Sequence, residues 1–411
     1  MKEKLKIIDL FAGCGGLSDG FEQTYLYDIV ACVEWEKGPC KTLANRLYKK
    51  WEIQNAHESV LHFDIQRTEE LINGWHNDQE YGSNVGLKAL VEKKQGIDVI
   101  IGGPPCQAYS IAGRVRDENG MNDDYRNFLF ESYLKVVDFF KPKAFIFENV
   151  PGLLSAKPGG VSIVERITKA FAEKGYDITD DLRSNALIEC TKFGVPQARK
   201  RMVILGVNRN LIKEPSQIAI YDFYKFILPK YYSKKVATVK DAINDLPKLF
   251  PLQAPIQIKK RKFSHSFENA KFSNHEPRMH SKRDIDTFSK LTNDIENGEN
   301  KFASIESLKD LYFEITGKRS NIHKYHVLKW DKPSNTIPAH LYKDGLRHIH
   351  PDPIQARTIT VREAARLQSF DDDFEFLGST SDQHKMVGNA VPPKFAKAIA
   401  LALNDFIHKY F

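Results

Sequence analysis

The chain has 411 residues, 42% of them hydrophobic and 11% aromatic, so it is long and apolar enough for two domains or for one large domain with an insertion. Sixty lysines and arginines against 53 acidic residues give a net charge of +7, which permits a nucleic-acid partner without requiring one. The five cysteines include no Cys-x-x-Cys pair, which argues against a disulfide framework or a structural zinc site. The sequence has no signal-peptide pattern and no bilayer-spanning apolar stretch, so we expect a cytoplasmic protein without a membrane partner.

The first half of the chain alternates short apolar runs with segments of helical periodicity. The pattern predicts strands at 5–11, 29–34, 97–101, 144–147 and 202–207, and helices at 17–24, 37–49, 128–140 and 161–174. Strands that alternate with helices indicate an α/β fold with a doubly wound, mostly parallel sheet.

From about residue 208 the regular alternation fades, and lysine, asparagine, serine and tyrosine become more frequent. We predict that residues 1–207 and about 385–411 form one domain, whose last helix, at 394–406, packs back on the sheet. Residues from about 208 to 384 are predicted to form a smaller, irregular domain with a hinge. Its segment 259–283 is rich in lysine and arginine with interleaved aromatics, a composition that fits either a nucleic-acid surface or a solvated loop.

A glycine-rich loop follows the first predicted strand. Gly13, Gly15 and Gly16 would let the backbone approach a ligand closely, although a plain tight turn would also explain them. Glu34 ends the second strand, where a carboxylate can accept hydrogen bonds from both hydroxyls of a ribose. The pattern is neither Gly-x-Gly-x-x-Gly nor a phosphate loop. A nucleoside cofactor without a pyrophosphate, such as S-adenosylmethionine, therefore fits better.

Residues 102–110 read Gly-Gly-Pro-Pro-Cys-Gln-Ala-Tyr-Ser, directly after a predicted buried strand. Cys106 would therefore stand at the carboxyl end of a strand, where ligands and chemistry are found in open α/β sheets. A rigid Pro-Pro turn could present it as a nucleophile. The alternative is a small buried apolar residue, the usual role of a free cysteine.

Charged residues are predicted at the same edge of the sheet. Glu148 follows the strand at 144–147, and partial burial there would raise its pKa and make it a proton donor. A capping or salt-bridging glutamate is the alternative. Arg199 and Arg201 are two residues apart, so in an extended segment they face the same side and could hold one carbonyl-bearing or anionic ligand. An ordinary basic strand start would have the same sequence.

Six motifs occur in an order that resembles the DNA (cytosine-5)-methyltransferase family of bacterial restriction-modification systems. They are Asp9–Gly16, Gly103-Pro-Pro-Cys-Gln, Glu148-Asn-Val, Gln197-x-Arg-x-Arg, Arg357–Phe370 and Gly388-Asn-Ala-Val-Pro-Pro. The resemblance implies a Rossmann-like S-adenosylmethionine-dependent domain, and a target-recognition region between Arg201 and Arg357. It also implies that the helix beginning near Thr360 braces that region.

The resemblance further implies methyl transfer to carbon 5 of a flipped-out cytosine in a specific sequence of double-stranded DNA. Cys106 would add to carbon 6, Glu148 would hold the N3 and amino edge, and Arg199 and Arg201 would contact the cytosine carbonyl and nearby backbone. No metal is expected. The expected product of the cofactor is S-adenosylhomocysteine.

The cofactor and DNA contacts follow from the same motifs. The predicted cofactor-binding residues are Phe11, Ala12, Gly13, Gly15, Gly16, Leu17, Glu34, Trp35, Asp64, Ile65, Pro104, Asn389 and Val391. The predicted DNA-binding residues are Gln107, Ser110, Arg114 and Arg126, in a loop that follows the nucleophile, and Lys259, Lys260, Arg261 and Lys262.

Three other functions are compatible with parts of this pattern. A tRNA cytosine-5 methyltransferase would share the chemistry, but the basic insertion of about 150 residues favours DNA. A catalytically inactive DNA-binding regulator would not need Cys106, Glu148, Arg199 and Arg201. A small-molecule methyltransferase would not need the basic region. We expect a monomer that protects host DNA, with a restriction endonuclease as its genetic partner.

Overall fold

The computed structural model describes residues 3–105, 129–157, 160, 162–258, 260–266, 272–321, 324–343 and 345–411. The chain divides into two compact units. The first comprises Met1–Gly194, Arg199–Lys235 and Ala390–Phe411, and the second comprises Val195–Ala198 and Val236–Asn389. The first unit thus extends beyond the predicted boundary at 207. The extra segment is held by Tyr224, whose hydroxyl accepts from the Leu205 amide at 2.9 Å and donates to the Val203 carbonyl at 2.8 Å.

The first unit is built on one sheet, which has eight strands among the described residues. In chain order these are β1 (Leu5–Leu10), β2 (Tyr27–Glu34), β3 (Val60–His62), β6 (Val99–Gly102), β7 (Ala144–Asn149), β8 (Tyr176–Asp177), β9 (Leu187–Glu189) and β10 (Lys200–Asn208). A separate ribbon consists of β4 (Trp75–Asp78) and β5 (Gly82–Asn84).

The strand order is β3-β2-β1-β6-β7-β10-β8, with β9 also paired to β10. The pairs from β3 through β7 are parallel, and β10 runs antiparallel to β7, β8 and β9. The predicted α/β fold with a mostly parallel sheet is therefore confirmed. Because β10 is reversed, its first residues lie at the edge where the parallel strands end: Leu10 is level with Gly102, Gly102 with Phe147, and Val203 with Glu148.

Helices flank the strands of the first unit. They are α1 (Gly16–Glu22), α2 (Lys37–Lys49), α3 (Ala56–Ser59), α4 (Thr68–Asn73), α5 (Gly86–Lys93), α6 (Leu129–Phe140), α7 (Ile163–Glu173), α8 (Ser216–Asp222) and, at the C-terminus, α14 (Pro393–Tyr410). All residues of β6 and β7 are buried, as expected for parallel strands covered on both faces. The C-terminal helix packs back on this unit, where the Tyr27 hydroxyl donates to the Ala400 carbonyl at 2.7 Å.

The second unit contains a hairpin and five α-helices in its described part. The hairpin pairs β11 (Pro251–Ile258) with β12 (Arg261–His265). The helices are α9 (Val239–Ile243), α10 (Lys282–Glu296), α11 (Ile305–Thr316), α12 (Val361–Leu367) and α13 (Thr380–Asn389). A small core forms around Phe288, Leu291 and Leu311. In the described ranges, no helix combines the length and apolarity needed to cross a membrane.

The predicted strands and helices of the first half are all present, with ends shifted by a few residues. The sequence pattern assigned nothing between residues 50 and 96, where the structure has three short helices and three short strands. Elements of three to eight residues contain too few positions for the spacing of apolar residues to reveal a helix or a strand.

Candidate active site

Glu34 joins the glycine-rich loop to the end of β2. Its Oε2 accepts from the Gly13 amide at 2.9 Å, and its Oε1 accepts from the Glu36 amide at 2.8 Å. Burial raises the pKa of this carboxyl to about 7, although the two amide donors oppose the shift. Each oxygen keeps a second lone pair, so the carboxylate can still accept from a ligand hydroxyl.

The loop itself needs glycine at several positions. Gly13 and Gly15 have φ values of +57° and +96°, in the left-handed region that glycine tolerates best. Nothing lies within 4 Å of the point where a Cβ on Gly13 would stand, so open space borders the loop. A Cβ on Gly16 would instead collide with the Val391 carbonyl oxygen, so this glycine allows the start of α1 to approach residues 390–391.

The other predicted cofactor residues of the first unit lie at or near the ends of the same strands. Phe11, Ala12 and Leu17 belong to the loop and to α1, Ala12 and Leu17 being buried. Trp35 follows β2 and is 52% exposed, and His62 Nε2 lies 3.0 Å from the Trp35 carbonyl oxygen. Asp64 follows β3 and accepts from the Gln66 amide at 2.9 Å, beside the buried Ile65.

Asn389 and Val391 fall on either side of the division between the units. Asn389 is the exposed last residue of α13 in the second unit, whereas Val391 belongs to the first.

The Gly-Gly-Pro-Pro segment leaves β6 in tight contact with its neighbours. A Cβ on Gly102 would collide with the Leu10 carbonyl oxygen, and one on Gly103 would lie 2.6 Å from Glu148 Oε2. The Pro104 carbonyl accepts from Asn149 Nδ2 at 3.3 Å. Pro104 is buried and Pro105 is exposed. The segment before Cys106 is thus built directly against the Glu148-Asn149 motif.

Several predicted residues lie outside the described part of the chain. They are Cys106, Gln107, Ser110, Arg114, Arg126 and Lys259.

Glu148 is buried near the end of β7, at the edge of the sheet where the parallel strands end. Arg201 Nε lies 2.7 Å from Glu148 Oε1, in an ion pair whose side chains are each 11% exposed. Oε1 is buried and faces the Arg201 guanidinium. Burial raises the pKa of Glu148, and the positive charges of Arg201 and Arg199 reduce the shift. A carboxyl group in this state takes up a proton more readily than an exposed glutamate.

Arg199 does not share the exposure of Arg201. It is 1% exposed, and its Nη2 donates to the Ala390 carbonyl at 3.2 Å. Burial lowers the pKa of its guanidinium to about 9. Arg199 therefore acts on Glu148 through its positive charge. The two-residue spacing of Arg199 and Arg201 did not predict that Arg199 would be buried.

Gln197 has a role that the sequence analysis missed. In the second unit its Nε2 donates to Gln368 Oε1 at 2.6 Å, and its Oε1 accepts from the Ile337 amide at 3.0 Å. It thereby ties its own motif to the end of the Arg357–Phe370 motif. The sequence signal for this role was the motif itself, in which Gln197 stands two residues before Arg199.

The four described cysteines are all buried. Burial raises the pKa of Cys14 and of Cys190 to about 12, and it raises those of Cys32 and Cys40 further above the ordinary range. None of these four thiols is suited to form a thiolate at neutral pH.

Three of the basic residues predicted to bind DNA, Lys260, Arg261 and Lys262, lie on the hairpin of the second unit. Lys260 and Lys262 are exposed. Arg261 pairs with Glu276 at 2.5 Å, and its guanidinium lies 5.0 Å from the ring centre of Phe263.

Known proteins resemble this chain over nearly its whole length. The sequence profile of the C-5 cytosine-specific DNA methylase family matches residues 5–405. The type II methyltransferase M.Bpa9945I of Bacillus paralicheniformis is 33% identical, over 98% of this chain and 99% of its own. The type II methyltransferase M1.HphI of Haemophilus parahaemolyticus is 32% identical, over 97% of this chain and 86% of its own.

Solved structures share the fold. A protein encoded within an E. coli prophage superposes with a TM-score of 0.64 at 23% identity, covering 98% of this chain and 100% of that one. The Dnmt2 methyltransferase of S. pombe has a TM-score of 0.56 at 16% identity, with 99% of both chains covered. The predicted methyltransferase fold is therefore confirmed. From the family profile and the full-length relatives together, the chain belongs to the C-5 cytosine-specific DNA methylase family and is a DNA cytosine-5 methyltransferase.

Proposed function

We propose that the protein methylates carbon 5 of a cytosine within a specific sequence of double-stranded DNA, using S-adenosylmethionine and a covalent adduct to Cys106. The observation that carries the proposal is the buried Glu148–Arg201 pair packed against Gly103, three residues before Cys106. Glu148 and the segment that leads to Cys106 thus leave adjacent strands at one edge of the sheet.

The chain's own residues would divide the chemistry as follows. The Cys106 thiolate adds to carbon 6 of a cytosine held outside the duplex, which makes carbon 5 nucleophilic. Glu148, with its raised pKa, holds the N3 and amino edge and stabilises the protonated ring. Arg201 beside it is available for the cytosine carbonyl, and the enclosed Arg199 adds positive charge. Loss of the carbon 5 proton after methylation then expels the thiolate.

S-adenosylmethionine fits the residues at the ends of β1 and β2. The Glu34 carboxylate can accept from ribose hydroxyls, open space borders Gly13, and the nearby Trp35 is exposed. Asp64, Ile65, Pro104 and Val391 would complete the first unit's part of the site. When bound, this cofactor would supply an electrophilic methyl group.

The two units would have different tasks. The first would carry the chemistry, and the second would carry sequence choice. Relatives named type II methyltransferases support a role in a restriction-modification system. In that role the protein would act as a monomer and protect host DNA from a companion endonuclease.

The decisive experiment uses duplex DNA that carries 5-fluorocytosine at the methylated position. Fluorine cannot leave carbon 5 as a proton does, so the wild-type protein should remain covalently attached in the presence of S-adenosylmethionine. Cys106→Ser should form no adduct but should still bind DNA. Cys40→Ser is the matched control, because a hydroxyl there can still donate to the Glu34 carbonyl as the thiol does, and it should form the adduct. An adduct on Cys106→Ser would refute the assignment.

The main alternative is a tRNA cytosine-5 methyltransferase of the same fold. The likeness to the S. pombe Dnmt2 structure does not choose between the two substrates, because at 16% identity it concerns the fold alone. Transfer of tritiated methyl groups into duplex DNA and into tRNA separates the two. Labelled DNA with unlabelled tRNA is expected. The reverse result would replace the proposed substrate, and no label in either would favour an inactive DNA-binding regulator.

A further inference from the structure

Arg199 and Arg201 are only two residues apart, yet their guanidinium groups have different partners in the first unit. Arg201 Nε lies 2.7 Å from Glu148 Oε1, and its side chain is 11% exposed. Arg199 is 1% exposed, and its Nη2 donates to the Ala390 carbonyl at 3.2 Å. An enclosed guanidinium that already donates to the backbone is poorly placed to meet an incoming base. Arg199 therefore calls for a role other than direct contact with the cytosine.

The backbone is held in place on both sides of the hydrogen bond between Arg199 and Ala390. The Arg199 carbonyl accepts from the Cys190 amide at 2.8 Å, directly before β10 begins. Ala390 lies just ahead of α14, and that helix packs tightly on α1, because a Cβ on Gly20 would collide with the Pro393 carbonyl oxygen. The side chain of Arg199 thus links the start of β10 to the segment that leads into α14.

The same segment, residues 390–391, lies against the end of the glycine-rich loop. A Cβ on Gly16 would collide with the Val391 carbonyl oxygen and would lie 3.1 Å from the Ala390 Cβ. Packing this close transmits a displacement instead of absorbing it. A shift of Ala390 would therefore move Gly16 and the loop before it, in which the Gly13 amide donates to Glu34 at 2.9 Å.

We propose that Arg199 is a positioning residue for the cofactor, because its hydrogen bond to Ala390 holds residues 390–391 against Gly16. The inference rests on the proposed function, in which the glycine-rich loop and Glu34 hold S-adenosylmethionine. The two arginines then have separate tasks: Arg201 acts beside Glu148, where the base is held, and Arg199 acts on the cofactor side. Arginine suits this task because its planar guanidinium has its donors fixed in a rigid fork, whereas lysine offers one ammonium group on a flexible stem.

The affinity of the full-length protein for S-adenosylmethionine, measured by calorimetry without DNA, tests this assignment. Arg199→Met keeps an unbranched side chain but removes the donor, and it should weaken cofactor binding about tenfold, the lower end of the effect of losing a hydrogen bond from a charged group. Arg201→Met is the matched control, and it should bind the cofactor as the wild type does because it alters only the cytosine side. Arg199→Lys keeps a charged donor and should give an intermediate affinity, which decides the question if Arg199→Met does not fold.

Two further measurements separate positioning from general stabilisation. Hydrogen exchange followed by mass spectrometry should be faster in Arg199→Met at residues 11–17 and 390–394, and unchanged in β6 and β7. Faster exchange throughout the sheet would show a purely structural role and would contradict the inference. In a double-mutant cycle, Gly16→Ala and Arg199→Met should weaken cofactor binding less than additively, because both disturb the same contact. Additive effects would mean that Arg199 acts elsewhere.

Unchanged cofactor affinity in both Arg199 variants would overturn the inference. A wild type that binds no S-adenosylmethionine would instead refute the proposed cofactor. The exchange measurement needs no cofactor, so it would still decide whether Arg199 holds the glycine-rich loop in place.

Discussion

At the scale of single residues, the titration of Glu34 should govern cofactor affinity. Its pKa is raised to about 7 by burial, and ribose hydroxyls would donate to its ionised form. Below that pH, binding must expel a proton, so the affinity for S-adenosylmethionine should fall up to about tenfold per pH unit, and it should level off above pH 8. Calorimetry between pH 5.5 and 8.5 measures this slope. Glu34→Gln should bind more weakly and lose most of the slope, and a flat wild-type profile would contradict the prediction.

Gly103 is a positioning residue for Glu148. A methyl group at this position would lie 2.6 Å from Glu148 Oε2 and would displace the carboxyl group. Gly103→Ala should therefore lower the single-turnover methylation rate by up to roughly a hundredfold, the scale of a 1 Å misplacement. Binding of S-adenosylmethionine should not change. Gly38→Ala is the matched control, because nothing lies within 4 Å of its would-be Cβ. Equal rates for the two variants would show that the contact has no role in positioning.

At the scale of an element, α12 owes its start to a buried charge network. Thr360 and Glu363 form a capping box, and Glu363 also receives two hydrogen bonds from Arg357, at 2.6 and 2.7 Å. Burial alone would raise the pKa of Glu363, but the positive charge and hydrogen bonds of Arg357 hold it below its usual range.

Removal of the Glu363 carboxyl group should reduce the free energy of unfolding more than removal of the Thr360 cap. Glu363→Ala leaves the guanidinium of Arg357 buried without its partner, so the free energy of unfolding should fall by about 3–5 kcal/mol. Thr360→Ala removes a cap and should cost about 0.5–2 kcal/mol. Urea unfolding measures both, and Ser304→Ala, at the exposed cap of α11, sets the cost of an ordinary cap. The reverse ranking of the two main variants would refute this account of α12.

At the scale of the whole molecule, the two units should respond to acid in opposite ways. In the second unit, burial lowers the pKa of His265 to about 4, and those of His280, His348, His350 and His384 to about 3. The unfolded chain takes up these protons from about pH 6.5 downward. Their contribution to stability is therefore present above pH 6.5 and is lost as the pH falls towards 3, by up to about 1.4 kcal/mol per histidine per pH unit.

The first unit has buried acids with the opposite behaviour. Burial raises the pKa values of Asp9, Glu22 and Glu34 to about 7. Their contribution is present below about pH 4 and is lost as the pH rises through 7. Hydrogen exchange mapped by mass spectrometry at pH 5 and pH 7.5 should show that protection falls in the second unit on acidification and persists in the first. Loss of protection in both units together would contradict this prediction.

The sequence by itself determined the features that local patterns encode. Apolar runs alternating with helical segments predicted the parallel strands, and glycine, proline and acidic residues marked where those strands end. Six motifs in order identified the family. These signals are local, because apolar periodicity and the residues that end a strand can be recognised within a short segment of sequence.

Only the tertiary structure decided which side chains meet. It reversed β10, paired Arg201 with Glu148, enclosed Arg199 and exposed a hairpin that composition described merely as basic. Glu148 and Arg201 are more than fifty residues apart in the sequence, and Gln197 and Gln368 are farther apart still. Burial and pairing of such residues arise from long-range packing, which changes the pKa and the partners of a side chain without leaving a trace in its neighbouring sequence.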